Sequence, residues 1–591
     1  MKQNVKPKKP QKKPSLLLPL GTAALLVGGG AGAYWAFTQR GASPDELPVG
    51  AQIIPQDALM AVSVTTDPAQ WERLREFGTA QSQAAFDKNL AQLRDRILTA
   101  NGLDYAKDVQ PWIGKQATVA FLSPQTTPPA DGALMPQQPQ AAVVVLPMQD
   151  PLKAKQILEQ PRPQMTKLVD RTYKDVQIKE TEPTATQPQK YSIAALDGKL
   201  LVVTNDPAAM NRTIDTYKGG PALAATPGYT QALGKIRVAQ PFGHLYVNLP
   251  AAAAVSSANA GQSVSPQSLA QVQQLQGLAA AANLEPDGIL FKSASWLKPD
   301  SQRKYEVRNT AGDMPNRLPA DTLMMASGGN LKKFWQDYSQ GAATSPIAPI
   351  KPKDLQEGLK STVGMDLDKD FLPWMEGEYA LALVAPAANS APSLPFSLLF
   401  MVKSSDRRAA ETALKQLDQA MASKYKFKVE ESKVGNQTLT NWTLPIGGTA
   451  ISHGWMDGDV AFLSMGAPIA NTLLPQPATA LAASDAFKQA IPSEMQSNNG
   501  HFFINVDRAI NTKSLPLFQL PPGNREFVTA VRSLGVTAAI SDDRTTRYDV
   551  LVKLQKAGKP GPLPSPTMPP AEEVTPVDGA AAPTPSPTTT P

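Results

Sequence analysis

An eleven-residue pattern, G-x-D-x-x-K-D-x-x-P-W, occurs twice in this chain, once from Gly102 to Trp112 and once from Gly364 to Trp374. Chance rarely preserves six identities at one internal spacing, so the first constraint is an internal duplication. Further pairs follow in the same order. Pro55, Asp57 and Leu59 match Pro319, Asp321 and Leu323, and Trp71 matches Trp335. Asp197-Gly198 matches Asp457-Gly458, and Tyr229 with Gln231 matches Phe487 with Gln489. Gly243-His244 and Asn248 match Gly500-His501 and Asn505, and Lys304-Tyr305 matches Arg547-Tyr548. One unit of roughly 250 residues is therefore expected twice, at residues 51–310 and 313–555.

Each copy reads as α+β. Asp67-Pro68, Asp150-Pro151 and Asp206-Pro207 are helix starts, with Asp as N-cap and Pro in the first turn. The first opens a long helix whose Phe86, Leu90, Leu93 and Ile97 recur at helical spacing. Residues 58–64, 118–122, 141–146, 176–179, 192–196 and 200–204 read as strands. Asp197-Gly198 between the last two predicts a two-residue hairpin with φ > 0. Residues 268–283 read as an Ala- and Gln-rich helix leading into a strand pair at 288–295 and 303–308; residues 527–534 and 536–555 repeat that plan. Hairpin-linked strands imply an antiparallel sheet with packed helices on one face.

The net charge of +6 suggests nucleic acid until it is located: six lysines lie in residues 1–13 without an acid, and the remaining 51 basic residues balance 51 acidic ones. A neutral body gives no reason to expect phosphate binding. The basic tail (1–14) precedes residues 15–38, an uncharged run ending in Tyr34, Trp35 and Phe37. About 20 such residues span a bilayer, and the positive flank keeps the N-terminus cytoplasmic. A single-pass anchor is expected, then a linker (39–50) and a periplasmic or lumenal body. A signal peptide cleaved after Ala33 is the alternative, although the apolar run continues through Phe37. Residues 556–591 contain 11 prolines and few large apolar side chains, so a disordered or extended tail is expected.

The anchor and the two eleven-residue patterns resemble a family of cyanobacterial membrane-anchored proteins classed as domain of unknown function three-three-five-two. The resemblance covers roughly residues 1–555. It implies a membrane-associated protein facing the periplasm or a lumen, and it supplies no catalytic residues.

Candidate chemistry is sparse. With no cysteine there are no disulfides, thiolate nucleophiles or Cys-ligated metals. Of the three histidines, His244, His453 and His501, the first and last are equivalent. Each could act with Asn248 or Asn505 as a base or metal ligand, or could be a structural residue at a strand start, which is the expectation. Asp104 with Asp108, and Asp366 with Asp370, could chelate a cation or form an acid–base pair; capping is expected instead, with the Pro-Trp packing an indole. Ser301-x-x-Lys304 fits a nucleophile pattern but falls in a predicted turn. No catalytic, cofactor-binding or metal residue is assigned. The expected function is non-enzymatic: an exported body that binds an envelope protein or a wall component. A carrier or sensor of an apolar or small ligand is the alternative, and a hydrolase using His244 and His501 comes last.

Overall fold

The computed structural model describes residues 47–99, 102–123, 140–160, 168–182, 190–260, 266–342, 351–386, 396–444, 449–466, 468–511 and 528–567. The basic tail and the anchor expected at residues 15–38 lie outside these. Among the described residues no helix is long and apolar enough to cross a membrane.

The fold is α+β, built on one large antiparallel sheet. Its first ten strands are β1 (Ala58–Thr65), β2 (Gln116–Leu122), β3 (Ala142–Pro147), β4 (Leu168–Tyr173), β5 (Val176–Thr181), β6 (Ser192–Leu196), β7 (Leu200–Thr204), β8 (Gly243–Val247), β9 (Leu275–Glu285) and β10 (Gly288–Leu297). The next ten are β11 (Thr322–Gly328), β12 (Tyr379–Val384), β13 (Ser397–Lys403), β14 (Lys428–Val434), β15 (Gln437–Thr443), β16 (Thr449–Met456), β17 (Val460–Gly466), β18 (Gly500–Asn505), β19 (Val531–Asp542) and β20 (Thr545–Leu554). Pairings run β4-β5-β6-β7-β3-β2-β1-β8-β9-β10 and, on the other side, β14-β15-β16-β17-β13-β12-β11-β18-β19-β20. The two series share one strand order and meet where β10 pairs with β20.

Helices cover both faces of each half, where the sequence pattern implies one covered face. On one face of the first half, α4 (Pro207–Tyr217) and α5 (Tyr229–Lys235) pack a core of Ile54, Leu122, Met210, Ile214, Tyr229, Tyr246 and Trp296. On the other, α1 (Pro68–Arg75) and α2 (Ala80–Ile97) bury Trp71 and Leu90, while α3 (Pro151–Leu158) packs over Trp112. The helix expected from Asp67 is thus two helices. Gly78, at φ 111°, turns the chain between them. Asp67, Asp150 and Asp206 each accept a hydrogen bond from a first-turn amide, as their Asp-Pro pairs imply. The Asp197-Gly198 loop has the expected positive φ at both residues. It is a three-residue loop, because Leu196 pairs with Leu200.

Three readings are corrected at the closing hairpins. Helix α7 (Pro266–Gln273), which follows α6 (Leu249–Ala260), stops early, and the alanines at 279–282 lie in β9. Their helix propensity is a few tenths of a kcal/mol each. Against it stands a full ladder of hydrogen bonds to β8 and β10, and only a small side chain fits where Tyr246 and Trp296 press on the same face. Residues 303–308 form no strand; β10 takes that role, and the Lys304–Arg547 match aligned a connecting segment with a strand. Likewise residues 531–534 belong to β19 rather than to a helix. A disordered or extended tail is the expectation for residues 556–591. Its first part, residues 556–567, lies along α1 and α2, while residues 568–591 are outside the described set.

At the junction, Lys292 of β10 stands directly opposite Asp549 of β20. The interval from Lys292 to Asp549 equals that from His244 to His501 and from Arg237 to Glu494, so these are equivalent positions about a pseudo-two-fold axis. The Asp549 carboxylate is fully buried and accepts two hydrogen bonds from Arg547, at 2.9 and 2.7 Å. Lys292 bonds Glu494 at 2.7–2.8 Å and the Arg237 carbonyl at 3.2 Å. Burial raises the Asp549 carboxyl above its usual range against the pull of Arg547. Glu494 is also penalised by burial, but Lys292 and Arg547 outweigh that and hold it low.

Removing one partner of such a network strands the others. Asp549→Ala is expected to destabilise the chain by about 3–5 kcal/mol in urea titrations. Gly288→Ala is expected to open the same junction, since a Cβ there would strike the Val552 carbonyl; hydrogen exchange along β10 and β20 reads this directly.

Candidate functional site

The sequence candidates fall on one line across the sheet. Thr118, Ser63, His244, Ala281, Lys292, Asp549, Thr537 and His501 lie opposite one another in register on β2, β1, β8, β9, β10, β20, β19 and β18. Five strand steps separate the two histidines, or about 24 Å. They do not form one site.

Gly243 and Gly500 explain the first position of the Gly-His pattern. A Cβ on Gly243 would lie 2.7 Å from the Ser63 carbonyl, and one on Gly500 would strike that of Ser327. The Asn four residues on is not a partner of the ring. Asn248 Oδ1 accepts the Ala251 amide at 3.2 Å, capping α6, and Asn505 Oδ1 accepts that of Arg508 at 3.1 Å, at the start of the Val506–Asn511 helix. Both complete N-caps.

The rings themselves differ. His501 Nδ1 sits 3.2 Å from Thr537 Oγ1, whose hydroxyl donates to the Pro492 carbonyl at 3.2 Å. Thr537 is thereby an acceptor, which assigns the proton to Nδ1. Phe487 meets this ring edge-on at 6.0 Å. His244 faces Ala281 where His501 faces Thr537, and its buried Nδ1 has no hydrogen-bond partner. It borders a cleft of about 210 Å³, lined also by Ser63, Thr118, Tyr229 and Tyr246. That volume includes the open mouth and is below the usual range for ligand pockets. Burial pushes both imidazoles down to about 4, Val536 opposing this slightly at His501. Burial also pushes the Tyr246 phenol up to about 12, with the neighbouring Thr226 hydroxyl offsetting part of it.

The acidic pairs are caps. Asp104 Oδ1 accepts the Lys107 amide at 3.0 Å, and Asp108 Oδ2 accepts the Asp104 amide at 2.7 Å. Asp366 and Asp370 repeat this, the latter also at 2.7 Å. Each pair brackets a single wide turn closed by an i→i+5 bond, Gln110 to Tyr105 and Leu372 to Leu367. Trp112 Nε1 then donates back to the Asp108 carbonyl at 2.6 Å, and Trp374 to that of Asp370 at 2.9 Å. All the shared polar residues but the lysine serve this one local unit, with the indoles buried against α3 and against the Arg407–Tyr425 helix.

Ser301 is 7% exposed and bonded to Gln274 Oε1 at 2.8 Å, while Lys304 lies 3.6 Å from Asp543; they form no nucleophile pair. The sequence reading passed over the Lys292–Asp549 network, for which the shared interval with the histidines was the available signal. It also passed over His453, whose Nε2 lies 2.8 Å from Asp418 Oδ1, an atom that also accepts Trp442 Nε1 at 2.7 Å. Isolated positions on α and β elements gave no signal for that contact. Among the described residues no three His, Asp or Glu side chains converge as a metal site.

Both imidazoles titrate lower in the fold than in the unfolded chain, so folding favours the neutral form. Their contribution is complete above about pH 6.5 and is lost as pH falls towards 4, to at most about 3 kcal/mol each. Denaturant midpoints measured between pH 7 and 4 are expected to fall, and to fall less for H244Q/H501Q. Asp104→Ala and Asp366→Ala are each expected to cost about 1 kcal/mol as lost caps, with no change in melting temperature on adding calcium.

A family model described as protein of unknown function (DUF3352) matches residues 20–554. No curated protein matches this chain. Among solved structures, crystal form III of TP0453 is similar at 9% identity over 44% of this chain and 82% of its own, with a TM-score of 0.22. That likeness is too low to carry an argument.

Proposed function

The chain belongs to the DUF3352 family of proteins of unknown function, and we propose that it is a non-enzymatic envelope protein. In this reading residues 15–38 anchor it in the membrane, and the exported body is a module for binding a protein or a wall component. The observation that carries the reading is the structural role of the aspartates, glycines, asparagines and histidines shared in the two repeated motifs. The aspartates of the eleven-residue unit and the asparagines cap turns and helices, the glycines before the histidines admit close strands, and the half-buried histidines beside them are held neutral. What remains for function is surface, presented on a body of ten strands on either side of one junction. The small cleft at His244 weighs against a carrier of bulky apolar ligands.

Cross-linking in cells followed by mass spectrometry tests this. The expected result is a reproducible set of cross-links from exposed lysines of the body to one envelope partner. Loss of the cellular phenotype in H244Q/H501Q, with the fold intact, would instead return the hydrolase reading. N-terminal sequencing of the mature protein checks the anchor: it is expected to find residues 15–38 present, and a start at Tyr34 would show a cleaved signal.

A further inference from the structure

Residues 556–567 are held against α1 and α2 by polar side chains on those helices. Gln83 Nε2 donates to the Gly558 carbonyl at 3.3 Å and Arg75 Nη2 to the Gly561 carbonyl at 2.6 Å. Arg75 is itself 4% exposed and held by Asp87 at 2.7 and 2.8 Å. At the far end, Asp95 Oδ2 accepts both the amide (3.1 Å) and the hydroxyl (3.0 Å) of Thr567. Asp95 is 6% exposed. Burial alone would raise its carboxyl, yet Arg94, Thr567 and Thr99 together hold it below the ordinary value. The helices thus read an extended segment through backbone carbonyls and one threonine. This suits a proline-rich chain, whose carbonyls are unused internally.

The segment ending in this contact is Pro562-Leu563-Pro564-Ser565-Pro566-Thr567. The same P-x-P-S-P-T order returns at Pro583-Thr584-Pro585-Ser586-Pro587-Thr588. Every group the helices need at the Thr567 end has its counterpart at Thr588. Leu563, which is half-buried in the docked copy, is replaced by Thr584, so residues 583–588 lack one apolar contact. We propose that the α1–α2 surface is a recognition site for P-x-P-S-P-T, and that residues 583–588 of the same chain are its second occupant, weaker than residues 562–567. The same chain is favoured over a second copy because a tether of under 30 residues supplies an effective concentration on the order of millimolar. Docking of the second occupant draws the tail back onto the body as a loop; docking of the first leaves residues 568–591 beyond Thr567.

Cysteine trapping tests this cleanly, since the chain has no cysteine of its own. Thr99 shares Asp95 with Thr567, so T99C/M568C in the otherwise unchanged full chain reports the first occupant. T99C/T589C reports the second. With residues 562–567 replaced by Gly and Ser at equal length, the 99–589 disulfide is expected to rise at least several-fold over the chain with its own 562–567, within monomers, and to be lost on adding D95N. Thermal melts of each variant establish that the fold is retained. Absence of the 99–589 disulfide where 99–568 forms, or its indifference to D95N, would overturn the site. Disulfide-linked dimers in place of monomers would overturn the same-chain occupant.

Discussion

The pairing of β10 with β20 is the constraint on which the rest of the molecule depends. Without it there are two ten-stranded sheets, each with a long open edge; with it there is one sheet whose outer strands, β4 and β14, are short. β14 carries Lys428, Glu430, Glu431 and Lys433, and β4 carries Asp170 and Arg171. Charged, short edges are poor templates for further strands.

The copies diverge where symmetry would otherwise be harmful. On a two-fold axis a residue meets its own equivalent. Identical copies would set lysine on lysine or aspartate on aspartate at the centre of the sheet. Instead one copy supplies Lys292 and Arg237, the other Asp549 and Glu494, and Arg547 completes the network. A buried like-charge pair would cost several kcal/mol, whereas a satisfied opposite pair costs little and specifies one register. The same logic separates the histidines: Thr537 gives His501 a partner that Ala281 does not give His244.

Much of the fold was legible in the sequence. Asp-Pro pairs located the helix starts at Pro68, Pro151 and Pro207 because capping is a contact within four residues. The G-x-D-x-x-K-D-x-x-P-W unit pointed to caps and a packed indole for the same reason: its cap and indole hydrogen bonds stay inside the pattern. Short runs of apolar residues located β2, β6 and β7. The alanine run of β9 was misread because its conformation is decided by β8 and β10, which approach from distant parts of the chain. The strand assigned to residues 303–308 failed because a four-residue likeness at an interval of 243 outweighed the interval of 257 set by the nearby histidines.

The candidate site divides in the same way. The sequence by itself determined that the chain is a duplicated α+β protein, that its excess charge lies before the body, and that its aspartates cap. It also marked two equivalent histidines. Only the tertiary structure decided that those histidines lie five strands apart, that their asparagines serve other helices, and that Lys292 and Asp549 meet on the axis between them. It alone seated Thr567 on Asp95, hundreds of residues away in the chain. Capping and turn formation are local and leave their signature in neighbouring residues. Strand neighbours and tail docking are choices among many distant surfaces, settled by burial and hydrogen-bond complementarity that no local window contains.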